Sequence, residues 1–523
     1  MSDLDQLDPR TPVLVGVGQA SERINEPTYR RMSAVDLAAE AAREALADTG
    51  CETAAIARAV DTVAGVRQFE ISAPWARARL GKSNNYPRSV ANRLSSKPSR
   101  AILEVAGGQS PQRLITELAS VIAAGKSEVA LVFGSEATST SRLLAGEDDR
   151  PDFSESVDGD LEDRGYGLDG LSASALTMHG LSKMTSQYAL FDNARRARLG
   201  QSREAYALSM GELLAPFSRI AARNPHAAAP TERNAHELAT PTERNRRISD
   251  PYTRYLVARD QVNQGAAVLL MSLAAARQYG VPRDKRVFLH GHADLHDRDL
   301  LDRTDLSASA MSVMAVRHAL DIARVTTADL TTIDLYSCFP IAVFNICDGL
   351  NIPINDERGL TVTGGLPFFG GAGSNYSMHA VAETVNKLRS TPGAFGLVGA
   401  NGGTLSKYSA GVYSTKPTAW RPNHSAQLQA MIDGWPVVDH VERADGWATV
   451  ETYTVTYRGT ERQGIVIGRL ESDGKRFVAL TTQGDEKTMA ILEDEMPIGT
   501  RVFVRNFETG NRVAVSERHL ISP

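Results

Sequence analysis

The sequence predicts an α/β protein that carries an additional all-β unit. Three observations lead there. Buried apolar strands alternate with amphipathic helices from residue 12 to about residue 133. The same alternation resumes at 266 and continues to about 398, after a stretch rich in Asp, Arg and Ser. From about 425 the pattern changes to short, evenly spaced β runs separated by glycine turns.

In the first series, residues 12–20 (PVLVGVGQA) form a continuous apolar run broken only by glycines, as a buried strand requires. A helix is expected at 33–48, where Ser33 caps and Val35, Leu37, Ala38, Ala41, Ala42 and Leu46 recur at helical spacing. Val60–Val66 and Ala101–Val105 are the next strands. The second feeds Gly107-Gly108-Gln109-Ser110-Pro111, where serine and proline start a helix with Leu114, Leu118, Val121 and Ile122 on one face. Val129–Phe133 closes the series. Residues 140–250 form an insertion with helices near 173–190 and 203–222. Its PTERN echo, at 230–234 and 241–245, reads as two turns.

The second series has strands at 266–271, 287–290, 332–335 and 395–398 and helices at 308–323, 340–350 and 378–389. The two series look like related halves, which implies internal duplication. The expected boundaries are 1–275, including the insertion, then 276–424 and 425–523. The last unit has β-type runs at 450–457, 465–470, 477–481, 489–492, 502–504 and 513–515, the pattern of a small antiparallel barrel or sandwich.

Length and composition narrow the function. A chain of 523 residues exceeds one core and fits roughly three to four units of ordinary domain size. With 57 basic and 62 acidic residues its net charge is −5, which disfavours a nucleic-acid surface. Three cysteines (Cys51, Cys338, Cys347) have neither metal-ligand spacing nor disulfide density, so a reducing, cytoplasmic setting is expected. The start, Met1-Ser2-Asp3-Leu4-Asp5, lacks the apolar segment of a signal peptide, and no apolar run reaches membrane-spanning length.

Several motifs are weak. Val15-Gly16-Val17-Gly18 follows a strand as a dinucleotide turn would, but the third glycine and the distant acidic residue are missing. No P-loop or zinc pattern occurs, and Ser110 is not an elbow serine. His290, His292 and His296 alternate along a strand with Asp294 as the one nearby carboxylate, leaving a metal and plain packing both open.

Four segments together resemble the thiolase superfamily across about residues 12–415. Gly108-Gln109-Ser110 stands where those enzymes carry Cys-x-Ser, followed by Ala124-Gly125-Lys126-Ser127-Glu128-Val129 at a helix-to-strand corner. Asp334-Leu335-Tyr336-Ser337-Cys338-Phe339 resembles the Asn-Glu-Ala-Phe loop, and more closely the His-Asp-Cys-Phe form of sterol-carrier-protein thiolases. Gly364–Gly371 resembles Gly-Gly-x-x-x-x-Gly-His-Pro, with Gly371 and Ala372 in the His-Pro places. Gly396–Gly403 resembles the Cys-x-Gly loop, with Asn401 in the second cysteine's place. The implied architecture is a duplicated thiolase fold of five αβαβα layers with a loop-domain insertion. The C-terminal unit resembles the oligonucleotide/oligosaccharide-binding-like domain that accompanies noncanonical relatives. The whole chain resembles the thiolase-like proteins of type 1.

What the resemblance implies for chemistry is narrower. Positions 108, 371 and 401 hold glycine, glycine and asparagine, none of which attacks a thioester or moves a proton. Ordinary thiolysis is therefore disfavoured. Main-chain N–H groups survive any side-chain change, so Gly108 and Gly403 retain the family's oxyanion donors. Tyr336, Ser337, Cys338, Tyr376 and His379 are the remaining side chains near those loops. Tyr336 is read equally as a proton carrier and as a half-buried structural tyrosine, whereas Cys338 and His379 read as packing. No cofactor or metal is expected.

Three functions follow as expectations. The first is acyl-CoA binding in lipid metabolism, with acyltransferase or carbon–carbon bond chemistry (acetyl-CoA acetyltransferase-like) that does not use cysteine. The second is retro-aldol cleavage of a 3-hydroxyacyl-CoA with Tyr336 or Tyr376 as base, as in cysteine-less relatives acting on steroid side chains. The third is a noncatalytic partner or lipid-binding protein that docks through its β unit. Free CoA and a carrier protein both remain open. So does oligomeric state, because the family dimerises through the strand at about 101–106, an edge the added domain would be placed to cover.

Overall fold

The computed structural model describes residues 6–168 and 174–520. Its first sheet takes the order Pro12–Ser21, Asn263–Ser272, Val129–Ala137, Thr62–Val66, Arg100–Glu104 and Glu162–Asp163. The last four of these run parallel, and Asn263–Ser272 is antiparallel to both its neighbours. On the outer face lies helix Ala34–Asp48, started by a reciprocal capping box between Ser33 and Asp36. Its alanines approach the strand so closely that a Cβ on Gly16 or Gly18 would lie 2.0 or 2.1 Å from a helix carbonyl oxygen. That contact accounts for the two glycines, which sit within a strand and form no dinucleotide turn.

The second sheet has the order Leu330–Leu335, Phe395–Gly402, Lys407–Ser414 and Phe288–His296. Helices Ser110–Ala123 and Tyr376–Ser390 lie between the sheets and touch strands of both, while Ala310–Ala323 covers the far face. The result is helix, sheet, helix, sheet, helix, as the duplicated alternation predicts. Because the parallel strands of the two sheets lead into the central layer, the loops after Glu104, Leu335 and Gly402 converge there.

The insertion holds helices Ser174–Met178, Met184–Arg198 and Arg203–Ala221. The helix expected at 173–190 is thus two separate pieces, and the second extends eight residues further. The start of that expectation, residue 173, lies outside the described residues. The edge of strand Arg100–Glu104 is covered by the insertion, where the added C-terminal domain was the expected cover. Glu162–Asp163 pairs alongside, and Arg164 fastens it by reaching Glu104, Glu117 and Glu162 at 2.6–2.7 Å.

After a short helix at Ser425–Asp433 the C-terminal strands close on themselves. Gly446–Arg458 pairs with both Glu461–Leu470 and Arg501–Phe507, and Arg476–Thr481 and Gly510–Ala514 complete a five-stranded barrel. One expected strand is corrected: Met489–Leu492 ends a helix, Glu486–Leu492. Asp485 caps it through Thr488 N–H at 3.1 Å, and Thr488, Met489 and Leu492 recur at helical spacing on the buried side. Strand Arg247–Ser249 of the insertion continues the barrel sheet through Ser249 and Thr456. No helix among the described residues is long and apolar enough to cross a membrane.

Candidate functional site

Strand Arg100–Glu104 delivers Gly107 and Gly108 to the central layer, where two serines fix them. Ser374 Oγ accepts from Gly107 N–H at 2.9 Å, and Ser377 Oγ donates to Gly108 O at 2.7 Å. From the other half comes Tyr336, immediately after strand Leu330–Leu335. A Cβ built on Gly108 would lie 2.3 Å from Tyr336 Oη and 2.3 Å from Asn401 O. The tyrosine hydroxyl therefore fills the space of the side chain that Gly108 lacks. Burial raises the phenol pKa above its ordinary value, and no hydrogen bond offsets that burial. Tyr336 consequently keeps its proton near neutral pH.

The Asn401 loop is built around a residue that sequence reasoning missed, Tyr188 of the insertion. Asn401 Nδ2 donates to Tyr188 Oη at 2.7 Å, and Tyr188 Oη donates to Gly403 O at 2.7 Å. Asn401 Nδ2 also lies 3.7 Å from Cys338 Sγ. Burial pushes that thiol up to about 12, so it is not an available thiolate. Gly403 takes φ +59° and is only partly buried. No motif marks Tyr188. Its role arises where an inserted helix meets a hairpin 215 residues away in sequence.

Tyr376 meets Tyr336 ring to edge at 5.4 Å, but its hydroxyl turns away. It contacts Thr363 Oγ1 at 2.5 Å and donates to Asp334 Oδ1 at 3.2 Å. Asp334 is fully buried, and burial raises its carboxyl above the usual range despite four bonds from Thr361, Val362 and Thr363. Ser337 Oγ accepts from Leu366 N–H at 3.1 Å and holds the glycine loop. His379 is fully buried, bonded through Nδ1 to Gln19 Oε1 at 2.7 Å, and burial keeps it neutral. Its ring meets Phe369 at 5.0 Å.

The place of the family's histidine, Gly371, differs from Gly108. Its N–H donates to Arg259 O at 2.7 Å, and a Cβ there would have nothing closer than 3.2 Å. The adjoining segment places Arg259 at this loop, with Arg254 as its nearest repelling cation. Glu136 is the second residue missed. It ends strand Val129–Ala137, accepts from Phe69 N–H at 2.7 Å, and is raised to about 8 by burial. A Cβ on Gly373 would lie 2.0 Å from its Oε1, so this neutral carboxyl supports the loop holding Ser374. A charged residue inside the otherwise buried run VALVFGSEA was the available signal.

Four buried polar atoms in these loops lack a partner: Gln109 Oε1, Asn375 Oδ1, His379 Nε2 and Asn401 Oδ1. Such groups ordinarily find partners, and these four stand out for lacking one. The histidine strand behaves otherwise. His290 bonds Lys416 O, and His292 bonds Arg421 O and Asn423 while stacking on Trp420. Burial lowers both to about 4. Among the described residues no three His, Cys, Asp or Glu side chains gather as metal ligands.

Comparison with known proteins bears on the family and the fold. Residues 427–509 match the model of the thiolase-like protein type 1 additional C-terminal domain. A monomeric SCP2-thiolase-like protein type 1 from Mycobacterium smegmatis is 49% identical, with 98% of this chain and 100% of that one covered and a TM-score of 0.84. An Ltp2-ChsH2(DUF35) aldolase covers 78% of this chain and 98% of its own at 19% identity and TM-score 0.56. The dimeric peroxisomal thiolase of Saccharomyces cerevisiae covers 79% and 99% at 14% identity and TM-score 0.56. The last two likenesses show the fold alone. No curated protein matches the sequence. By its overall identity and its matched C-terminal domain, the chain belongs to the thiolase-like proteins of type 1.

Proposed function

We propose that this protein binds an acyl-CoA thioester in lipid metabolism and acts on its α-carbon by acid–base chemistry, without a covalent acyl-enzyme. The observation that carries the reading is the Tyr336 hydroxyl standing in the missing nucleophile's space. The Gly108 and Gly403 N–H groups are read as donors to the thioester oxygen, where an enolate develops charge. Arg259 supplies positive charge at the neighbouring loop for the CoA phosphates, and burial with Arg254 close by depresses its pKa. The orphaned Gln109, Asn375 and Asn401 oxygens are acceptors for amide or hydroxyl groups.

Within this reading, retro-aldol cleavage of a 3-hydroxyacyl-CoA is favoured, because the Tyr336 hydroxyl stands at the Gly108 loop able both to give and to take a proton, while Tyr376 is held on Asp334. Tyr336 Oη takes the 3-hydroxyl proton as it gives its own proton to C2. The C2–C3 bond breaks, its electron pair enters the thioester enolate, and Tyr336 protonates C2. Over one cycle a single proton moves from the 3-hydroxyl oxygen to C2, and the products are a shorter acyl-CoA and a carbonyl compound. No oxidant or second substrate is needed.

The test is a mass-spectrometric screen of 3-hydroxyacyl-CoA and 3-ketoacyl-CoA thioesters, with and without free CoA, alongside Tyr336→Phe. The expected result is cleavage without added CoA, lost by at least about 100-fold in Tyr336→Phe while thioester affinity stays within about twofold. CoA-dependent thiolysis would overturn the proposal. Binding without turnover would leave a noncatalytic thioester-binding role.

A further inference from the structure

Away from these loops lies a cleft of about 640 Å³ whose walls come from three parts of the chain. One wall is the exposed face of helix Ala310–Ala323 with Val313, Met314 and Arg317. The loop from Asp297 to Ala308, carrying Arg298 and Arg303, forms the floor. Trp435, beyond the helix that precedes the barrel, closes the third side. The volume suits a small organic ligand.

The polar groups of the cleft are unevenly matched. Arg303 is 5% exposed, and burial lowers its pKa. Its Nη2 has no partner among the described residues; Asp297 lies 3.7 Å from its Nε, and Asp299 and Asp302 add negative charge nearby. Among the described residues the Arg298 side chain donates only to the carbonyl oxygens of Asp433, Trp435 and Pro436, and that of Arg317 only to Gly349 O. Among the acidic residues of the walls, Asp348 is already held by Arg195 and Arg198. Asp305 accepts from Ser307 N–H, and Asp297 from Arg298 N–H. Asp321 also lines the cleft, one turn beyond Arg317 on the same helix face. The N-terminus of helix Ala310–Ala323 opens into the same space through Ala308, Ser309 and Ala310. A buried guanidinium with a spare donor, two cations bonded only to carbonyls and a helix N-terminus all favour negative charge. Beside them stand Val313, Met314 and Trp435.

We propose that this cleft is a second ligand site, which takes an anionic amphiphile with a carboxylate or phosphate head and an unbranched apolar body. The head sits against Arg303 and the helix N-terminus, and the body lies along Val313, Met314 and Trp435. The site stands independently of the thioester reading. It also shares a residue with the thioester loop, because Leu405 O accepts from Ser309 Oγ at 3.1 Å while Leu405 N–H donates to Tyr188 Oη at 3.3 Å.

The test is calorimetric titration of the whole protein with decanoate, decyl phosphate and decyltrimethylammonium, each below its micellar concentration, and with inorganic phosphate. The expected result is one-to-one binding of an anionic amphiphile, weakened at least tenfold in Arg317→Glu and in Arg303→Lys. The ratio of decanoate to decyl phosphate affinity then assigns the head as carboxylate or phosphate. Arg317 lies on an exposed helix face, so its variant carries the test if Arg303→Lys does not fold. Equal binding of the cationic amphiphile, undiminished binding by Arg317→Glu, or no amphiphile binding would each overturn the proposal.

Discussion

At the scale of single residues, the site is defined by one exchange of volume between the two halves. Gly108 has no side chain, and Tyr336 occupies the space. Restoring cysteine at 108 does not restore a thiolase, because its Cβ would overlap Tyr336 Oη and Asn401 O at 2.3 Å. Gly108→Cys is expected to cost about 1–3 kcal/mol by overpacking, read by urea denaturation, and to show no thiolysis. Adding Tyr336→Ala removes the side-chain part of the overlap and leaves the Asn401 carbonyl in place, so the double variant should lose less than the sum of the two single losses; strictly additive losses or an equally stable single variant would refute the overlap. Glu136 makes a pH prediction. Its native pKa of about 8 lies above the unfolded value near 4.5, so the native state binds the extra proton between them. Stability is full below about pH 4.5 and falls as pH rises to 8, by up to about 1.4 kcal/mol per unit from this group. Glu136→Gln should flatten that slope, and an unchanged slope would assign it elsewhere. Gly108, Gly371 and Asn401 were legible because each interrupts a local motif. The Tyr336 contact was not, since it joins positions 228 residues apart by numbering, and no periodicity encodes such an approach.

Elements were legible in proportion to their length and pattern. The strands at 12–20, 129–133 and 266–271 and the helices at 110–122 and 340–350 carry enough apolar repeats to identify themselves. Glu162–Asp163 has two residues, both acidic and exposed, and thus no hydrophobic pattern to find. Its consequence is nevertheless large, because it occupies an edge of Arg100–Glu104 that would otherwise be open to pairing. Arg164 holds it in place and neutralises Glu104, whose side chain is fully buried. Its N–H also donates to Leu103 O at 3.1 Å, which carries the pairing one residue further. The native chain is therefore expected to sediment as a monomer, and Arg164→Ala to show concentration-dependent dimerisation. Sedimentation velocity over a hundredfold concentration range decides it: a variant as monomeric as the parent would show that this short strand does not guard the edge.

On the scale of the whole molecule, the barrel and the thiolase-like body share one polar interior. Thr452 Oγ1 donates to Leu190 O at 2.6 Å, and Asn193 Nδ2 bridges Asp250 O and Tyr453 O. Arg203 ties Asp250, Tyr453 Oη and Leu492 O together. The deepest link is Arg476, fully buried in the barrel wall, which donates to Leu301 O and Arg303 O at 2.6 Å while pairing with Glu451. Buried polar groups of this kind are costly when left unpaired, so each side completes the other. Two units that merely touched would melt separately; units that satisfy each other's buried donors should melt as one. Calorimetry is accordingly expected to show a single transition for the native chain. Arg476→Ala strands two buried carbonyls and removes half of Glu451's support, at a cost of about 3 kcal/mol. It should lower the midpoint of that transition without splitting it. A barrel that unfolds first, leaving the body's transition where it was, would mean that these bonds decorate the interface rather than unite it.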